Sequence, residues 1–312
     1  MTIRTFQPGD EEAQAAIYNE AAGSLPGFKP ASVDEIRRRQ RSPAFAADWR
    51  FYAVEAGTPV AYIVLNRNGR VSNAWSRVGA QRWTSPLWGA AEAAARKAGL
   101  KRIFAAYRGD WTEVAQSLEK HGFVRKREMV NYVIDVSDLP TQSLYRGPVI
   151  RCLTPADVPA VLRMGGSLYD GRTPAELESR LFANPYFPAE SLFAAAAPAA
   201  GEILGCAILI QESGYADPTK VDSAMPCFRL GAFGNEWQDV KRIRGMFSFL
   251  TMPDRNVSSV GLDLLSNASR QLHDDIDCIA AQVPSDLIEQ VSFYHRLFRR
   301  QGSFPVFERE LN

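Results

Sequence analysis

The chain has 312 residues, 46% of them hydrophobic and 23% charged, with a formal net charge of +1 at pH 7. That is the composition of a globular protein too long for a single core, so two domains are expected. The balanced charge gives no electrostatic case for nucleic acid or an acidic membrane surface as partner. No run approaches the roughly 20 apolar residues of a spanning helix, and Met1-Thr2-Ile3-Arg4-Thr5 reads as lacking an apolar leader core.

The chain opens on Ile3-Arg4-Thr5-Phe6-Gln7-Pro8-Gly9-Asp10, a short strand ending at a Pro, with Asp10 as the cap of a helix through Ala13, Ala16 and Ile17. Phe51 to Val64 reads as a β-hairpin with Gly57 in its turn. Arg70 to Val78 is the next expected strand, followed by a helix from Leu87 to Ala98 that Gly99 ends. Arg102 to Tyr107 is a strand, and Asp110 is the expected cap of a helix from Trp111 to His121. Gly122-Phe123 and a strand from Glu128 to Val136 complete the first half. Ser137 to Pro148, with two Pro and one Gly, reads as a linker.

The second half repeats the first. Ile150-Arg151-Cys152-Leu153-Thr154-Pro155-Ala156-Asp157 follows the same I-R-x-apolar-x-P-x-D pattern as Ile3 to Asp10, offset by 147 residues without a gap. A period of that length means a duplicated domain, not a solenoid. A second hairpin runs from Ser191 through Gly201 to Ile210. Met246 to Met252 reads as a strand, and Val257, Val260, Leu264, Leu265, Ala268 and Leu272 mark one face of a helix. Cys278 to Val283 is a strand. Asp286 and Glu289 resemble a capping box at the start of a last helix, expected to run to Gly302.

Between the strand and the helix lies Pro253-Asp254-Arg255-Asn256-Val257-Ser258-Ser259-Val260-Gly261-Leu262. A strand, a small polar loop and a helix present free backbone N–H groups and a positive dipole end, a suitable seat for phosphate. The insert Asp217 to Arg244 contains Cys227-Phe228-Arg229-Leu230-Gly231-Ala232-Phe233-Gly234, a further candidate strand. On that assignment Lys241-Arg242-Ile243-Arg244-Gly245-Met246 is the alternative phosphate loop. The four cysteines (Cys152, Cys206, Cys227, Cys278) contain no C-x-x-C and read as reduced, which fits the cytoplasm. With three histidines and no His/Cys cluster, no metal site is expected.

The loop and the element order resemble the GNAT acetyltransferase superfamily, whose phosphate loop reads roughly P-D-Y-R-G-x-G-I-G-x-x-L-L. Pro253, Asp254, Val260, Gly261, Leu264 and Leu265 fall in register, while Asn256 and Ser259 depart from the pattern. Two such halves cover nearly the whole chain, an architecture similar to that of mycothiol synthase. The resemblance implies an α/β (α+β) fold of two tandem GNAT domains, each a mixed, mostly antiparallel sheet flanked by helices. The expected bounds are 1–138 for the first, 139–148 for the linker and 149–312 for the second. It further implies transfer of an acetyl group from acetyl-CoA directly to an amine, here a small molecule, by a monomer whose two domains pair as a pseudo-dimer.

On this resemblance the first copy places Gly79-Ala80-Gln81-Arg82-Trp83-Thr84 on its loop, where bulky Arg82 and Trp83 crowd a phosphate. Acetyl-CoA is therefore expected in the second copy, against Leu250, Thr251, Asn256, Val257, Ser258, Ser259, Val260, Gly261 and Leu262, with Arg82 facing a phosphate as the alternative. The family's proton-donating Tyr, four residues before a G-F pair, is replaced by Leu118 in the first copy. Counting back from Gly302 gives Phe298 in the second, with Tyr294 one turn earlier on the same face. Tyr294 is the candidate acid, and a half-buried core Tyr is its plainer role. Glu236 is the candidate base, with Asp239 and Glu212 as alternatives; His295 points about 100° away from Tyr294. The rival reading is a catalytically silent CoA- or metabolite-binding protein. Arg37, Arg38, Arg39 and Arg41 suggest nucleic acid only weakly, reading as a solvated helix face.

Overall fold

A computed structural model describes residues 2–40, 45–140, 147–169, 172–184, 187–198, 201–211 and 243–311. The chain forms two compact units, one of residues 1–129 with 303–312 and the other of 130–302. The units therefore do not follow the two sequence halves. The strands β6 (Val124–Asp135) and β12 (Arg299–Glu310) each carry the chain out of one unit and into the other.

In the first unit, β1 (Thr2–Thr5), β2 (Arg50–Glu55), β3 (Thr58–Val64) and β4 (Trp75–Ser76) form an antiparallel sheet in that order. The β2–β3 turn has positive φ at Ala56 and Gly57, the twist-matched two-residue hairpin turn. The expected strand 70–78 is reduced to β4 and isolated bridges at Arg70 and Val71. The helices are α1 (Asp10–Ala22), α2 (Val33–Gln40), α3 (Thr84–Lys97) and α4 (Thr112–Lys120). Gly99 at φ 76 closes α3 as expected, its N–H donating to the Arg96 carbonyl at 2.9 Å. Asp110 does not cap α4. It pairs with Arg108 at 2.6 Å, and Trp111 takes the cap position. Strand β5 (Arg102–Ala106) pairs antiparallel with β12, from Ala106↔Val306 to Arg102↔Glu310.

In the second unit the strand order is β7 (Val149–Cys152), β8 (Leu192–Ala196), β9 (Ile203–Ile210), β10 (Ile243–Thr251), β11 (Cys278–Pro284) and then β6. The helices are α5 (Val158–Gly165), α6 (Pro174–Phe182), α7 (Val257–Gln271) and α8 (Ile288–Leu297). One core, around Val161, Leu192, Cys206, Leu250 and Ala280, lies under α5 and α6. The other, around Phe247, Phe249, Leu264, Phe293 and Tyr294, lies under α7 and α8. Leu264 and Leu265 are fully buried, so truncating either to Ala costs roughly 2–5 kcal/mol.

The sequence repeat is one physical device built twice. Arg4 grips Asp10 through two bonds of 2.6 and 2.7 Å, and Arg151 grips Asp157 through two of 2.7 and 2.9 Å. In each copy the carboxylate also accepts the backbone N–H three residues before it, from Gln7 at 2.7 Å and from Thr154 at 2.8 Å. The carboxylate therefore ties the end of a strand to the start of a helix, and the Arg fixes the carboxylate.

Two further features differ from expectation. The last helix ends at Leu297, not at Gly302. Phe298 turns extended (φ −111, ψ 152) so that its ring packs on Tyr294, and Arg299 to Glu310 is one strand. Its cap position is Leu287, and no side chain caps it. The alternative phosphate loop does not form either, because Ile243 to Met246 belongs to β10. Lys241, Arg242 and the expected strand Cys227 to Gly234 lie outside the described residues.

Candidate active site

Strands β10 and β11 run parallel, but they pair only from Ile243↔Cys278 to Met246↔Ala280. Gly245, paired with Ile279 just before this last contact, has no room for a side chain: a Cβ would come within 2.8 Å of the Ile210 carbonyl. From Phe247 to Thr251, β10 stays paired with β9 but leaves β11. The sheet is thus split along the edge that leads to the start of α7.

Helix α7 begins at Val257 because Asn256 caps it, its Oδ1 accepting the Ser259 N–H at 2.9 Å. The Val260 N–H donates to the Asn256 carbonyl at 3.1 Å, and Gly261 and Leu262 lie within the helical ladder. Of the expected loop donors, the N–H groups of Val257 and Ser258 remain directed out of the first turn. Asn256 and Ser259 are exposed and Ser258 half-exposed, while Leu250, Thr251, Val257 and Val260 are buried and Leu262 points to solvent. Gly261 has a packing role: a Cβ there would fall 2.7 Å from Phe249 and 2.9 Å from Phe293. Its missing side chain lets α7 lie close on the split strand.

Sequence reasoning missed Arg296. From α8 its guanidinium donates to the Ser258 hydroxyl, placing a permanent positive charge at the first turn of α7. Nothing in the local sequence pairs residues 38 positions apart. The neighbouring Arg255 is engaged by Glu202 at 2.9 Å.

Tyr294 stands where the shortened helix puts it, one turn before the helix end. Its ring stacks on Tyr132 at 5.7 Å and packs against Phe249 at 5.5 Å. Its side chain is 1% exposed, and among the described residues its hydroxyl completes no hydrogen bond of ordinary geometry. Burial pushes the phenol well above its usual pKa, offset in part by the Phe249 backbone N–H on the split stretch of β10. The group is neutral throughout the physiological range, and among the described residues no acceptor takes its proton. His295, beside it in sequence, is exposed. Phe298 is a core residue, as is Leu118 in the first unit. Glu236, Asp239 and Glu212 lie outside the described residues.

The corresponding loop of the first unit is held shut by its own side chains. Arg82 donates to the Gly79 carbonyl at 2.8 Å and pairs with Glu55, and the Trp83 indole N–H donates to the same carboxylate. These bonds hold the Glu55 carboxyl below its ordinary pKa, the Trp83 bond most of all. The first-unit aromatics Trp75, Tyr107 and Trp111 pack on one another, and the Tyr107 hydroxyl is satisfied by the Asn73 N–H at 2.5 Å.

Among the described residues no three His, Cys, Asp or Glu side chains stand close enough to hold a metal ion, and no helix is long and apolar enough to cross a membrane.

No family model and no curated protein matches the sequence. Solved structures do. A GCN5-related N-acetyltransferase from Sphaerobacter thermophilus is similar over 100% of this chain and 96% of its own, with a TM-score of 0.64 at 15% identity. The fold is that of a tandem GNAT protein. A tandem GNAT protein from the clavulanic acid biosynthesis pathway, in a structure without AcCoA, is similar over 100% of this chain and 98% of its own. Its TM-score is 0.52 at 13% identity. At these identities the likeness is one of fold, and the mixed sheets flanked by helices agree with it.

Proposed function

We propose that the chain is an N-acyltransferase that moves an acetyl group from acetyl-CoA to a small-molecule amine, with the cofactor seated in the second unit. The observation that carries this reading is the split between β10 and β11. It opens beside the buried Tyr294 hydroxyl, which donates to no acceptor among the described residues, and leads to a helix N-terminus that carries Arg296. An orphaned polar atom in a dry aromatic cluster is costly unless a ligand completes it, so these residues fit the group.

When bound, acetyl-CoA supplies the acyl group as a thioester and departs as a thiol. The Val257 and Ser258 N–H groups, the Ser258 hydroxyl and the Arg296 guanidinium would hold the pyrophosphate. The Phe249 amide, which lies against the Tyr294 hydroxyl on the split stretch of β10, would donate to the acyl oxygen. Tyr294 keeps its proton on the hydroxyl oxygen and offers it to the leaving sulfur. The aromatic cluster of Phe247, Phe249, Phe293 and Phe298 excludes water from that step. The acceptor amine must lose a proton, and Glu236 is proposed for that role.

Calorimetric titration with acetyl-CoA, followed by thiol release across a panel of amines, tests the reading. Binding together with amine-dependent thiol release is expected; no binding at millimolar acetyl-CoA would sink it. A second reading, a silent CoA-binding protein, draws on the complete burial of Tyr294. It predicts binding without thiol release.

A further inference from the structure

On the face of the second unit's sheet away from α7 and α8, a pocket with room for about 70 Å³ opens beneath α5 and α6. Among the described residues its wall is mostly apolar: Val161, Leu181, Leu192, Cys206 and Leu250 line it beside Ser248 and Tyr169, and no charged side chain does. Its floor includes Ser248, Phe249 and Leu250, the stretch of β10 that has left β11. The pocket and the Tyr294 hydroxyl therefore lie on opposite sides of the same strand segment. The Cys206 thiol, pushed up to about 12 by burial, acts here as a small hydrophobe and not as a nucleophile. Tyr169 closes one side, and it does so because residue 165 is glycine: a Cβ on Gly165 would fall 2.0 Å from the Tyr169 ring.

An ammonium group cannot enter such a wall unpaired, but the carbon chain behind it can. A cavity of about 150 Å³ lined by aliphatic side chains holds a benzene molecule, so this space suits roughly half of that, three or four carbons. We propose that the pocket receives the uncharged aliphatic substituent of the acceptor amine, and that the enzyme selects short branched alkylamines over doubly charged ones. The proposal rests on the acyltransferase reading, since it is that reading which makes the split segment of β10 the place of reaction. Burying a few methylene groups at about 0.8 kcal/mol each gives a discrimination of tenfold or more.

Leu181 is half-buried on α6 and lies apart from the proposed cofactor contacts, so its variants probe the pocket alone. Ligand-detected NMR without cofactor, using isobutylamine and 1,2-diaminoethane as probes, reads the pocket directly. Wild type is expected to bind isobutylamine at least tenfold more tightly than the diamine. Leu181→Trp is expected to erase that preference, and Leu181→Ala to shift it towards 3-methylbutylamine. Equal binding of the two probes, or an isobutylamine affinity unchanged in both variants, would overturn the proposal. So would a change in Leu181→Trp confined to the choice between acetyl-CoA and isobutyryl-CoA, which would make this an acyl pocket. Failure of wild type to bind acetyl-CoA would instead defeat the acyltransferase reading, and the amine preference would separate the two failures.

Discussion

The two units share a frame and differ in what fills it. In both, an Arg–Asp pair ties the first strand to the first helix, and a hairpin leads to a loop that opens a helix. In the first unit Glu55 collects Arg82 and Trp83, and the buried Tyr107 hydroxyl has its partner in Asn73. In the second unit the loop residues stay small, Arg296 reaches their edge, and the buried Tyr294 hydroxyl has, among the described residues, only the Phe249 amide beside it and no acceptor for its proton. Among the described residues the first unit has unpartnered buried atoms as well, the Trp88 indole N–H among them. What sets the second unit apart is that its buried hydroxyl, on Tyr294, stands against the strand that has left its neighbour, and there we assign the chemistry.

The largest expected contrast is catalytic. Tyr294→Phe should lower kcat by about a hundredfold with acetyl-CoA affinity nearly unchanged, whereas Tyr107→Phe should leave kcat within about twofold. Steady-state kinetics with calorimetric Kd values read both. Equal effects at the two tyrosines would erase the distinction drawn between the units.

Next comes cofactor binding. Arg296→Ala removes a charge-assisted contact, worth roughly 1.5 kcal/mol or more, and should weaken acetyl-CoA at least about tenfold. Arg82→Ala should not weaken it, because Arg82 is engaged by Glu55 and the Gly79 carbonyl.

Two glycines test the packing difference. Gly261→Ala drives a methyl group into Phe249 and Phe293 and should destabilise by roughly 1–3 kcal/mol. Gly89→Ala, inside α3 with no atom within 4 Å, should stabilise by about 0.5–1 kcal/mol. Thermal melts of the two variants should move in opposite directions.

The smallest effect concerns the shared device. The Arg151 bond, with the Thr154 amide and hydroxyl, holds the Asp157 carboxyl below its ordinary pKa. A depressed folded-state pKa contributes stability above the unfolded value, near 4, that is lost as pH falls through the folded one. Asp157→Asn should therefore cost about 1 kcal/mol at pH 7, and the difference from wild type should fade as the pH falls below about 4. A difference that persisted at pH 2 would contradict this origin.

Much of the frame was legible because it is written locally. The 147-residue repeat, the Gly99 stop and the Asn256-to-Leu272 helix each depend on residues a few positions apart. Features that depend on distant partners were not legible. Glu128 to Val136 read as a strand but residues 299–302 read as helix, and no local pattern says that Val124–Asp135 and Arg299–Glu310 are both long strands or which sheet each one joins. The helix end at Leu297 follows from burial of Phe298 against Tyr294, not from a Gly or Pro punctuation mark. Glu55 lies 27 residues from Arg82, so the closure of the first loop became visible only in three dimensions.

The central claim is one cofactor site per chain, in the second unit. Isothermal calorimetry with acetyl-CoA on wild type, Arg82→Ala and Arg296→Ala tests it most directly. We predict a stoichiometry of one, unchanged in Arg82→Ala, with affinity lost in Arg296→Ala. Two equivalents per chain, or a site abolished by Arg82→Ala and indifferent to Arg296→Ala, would contradict it.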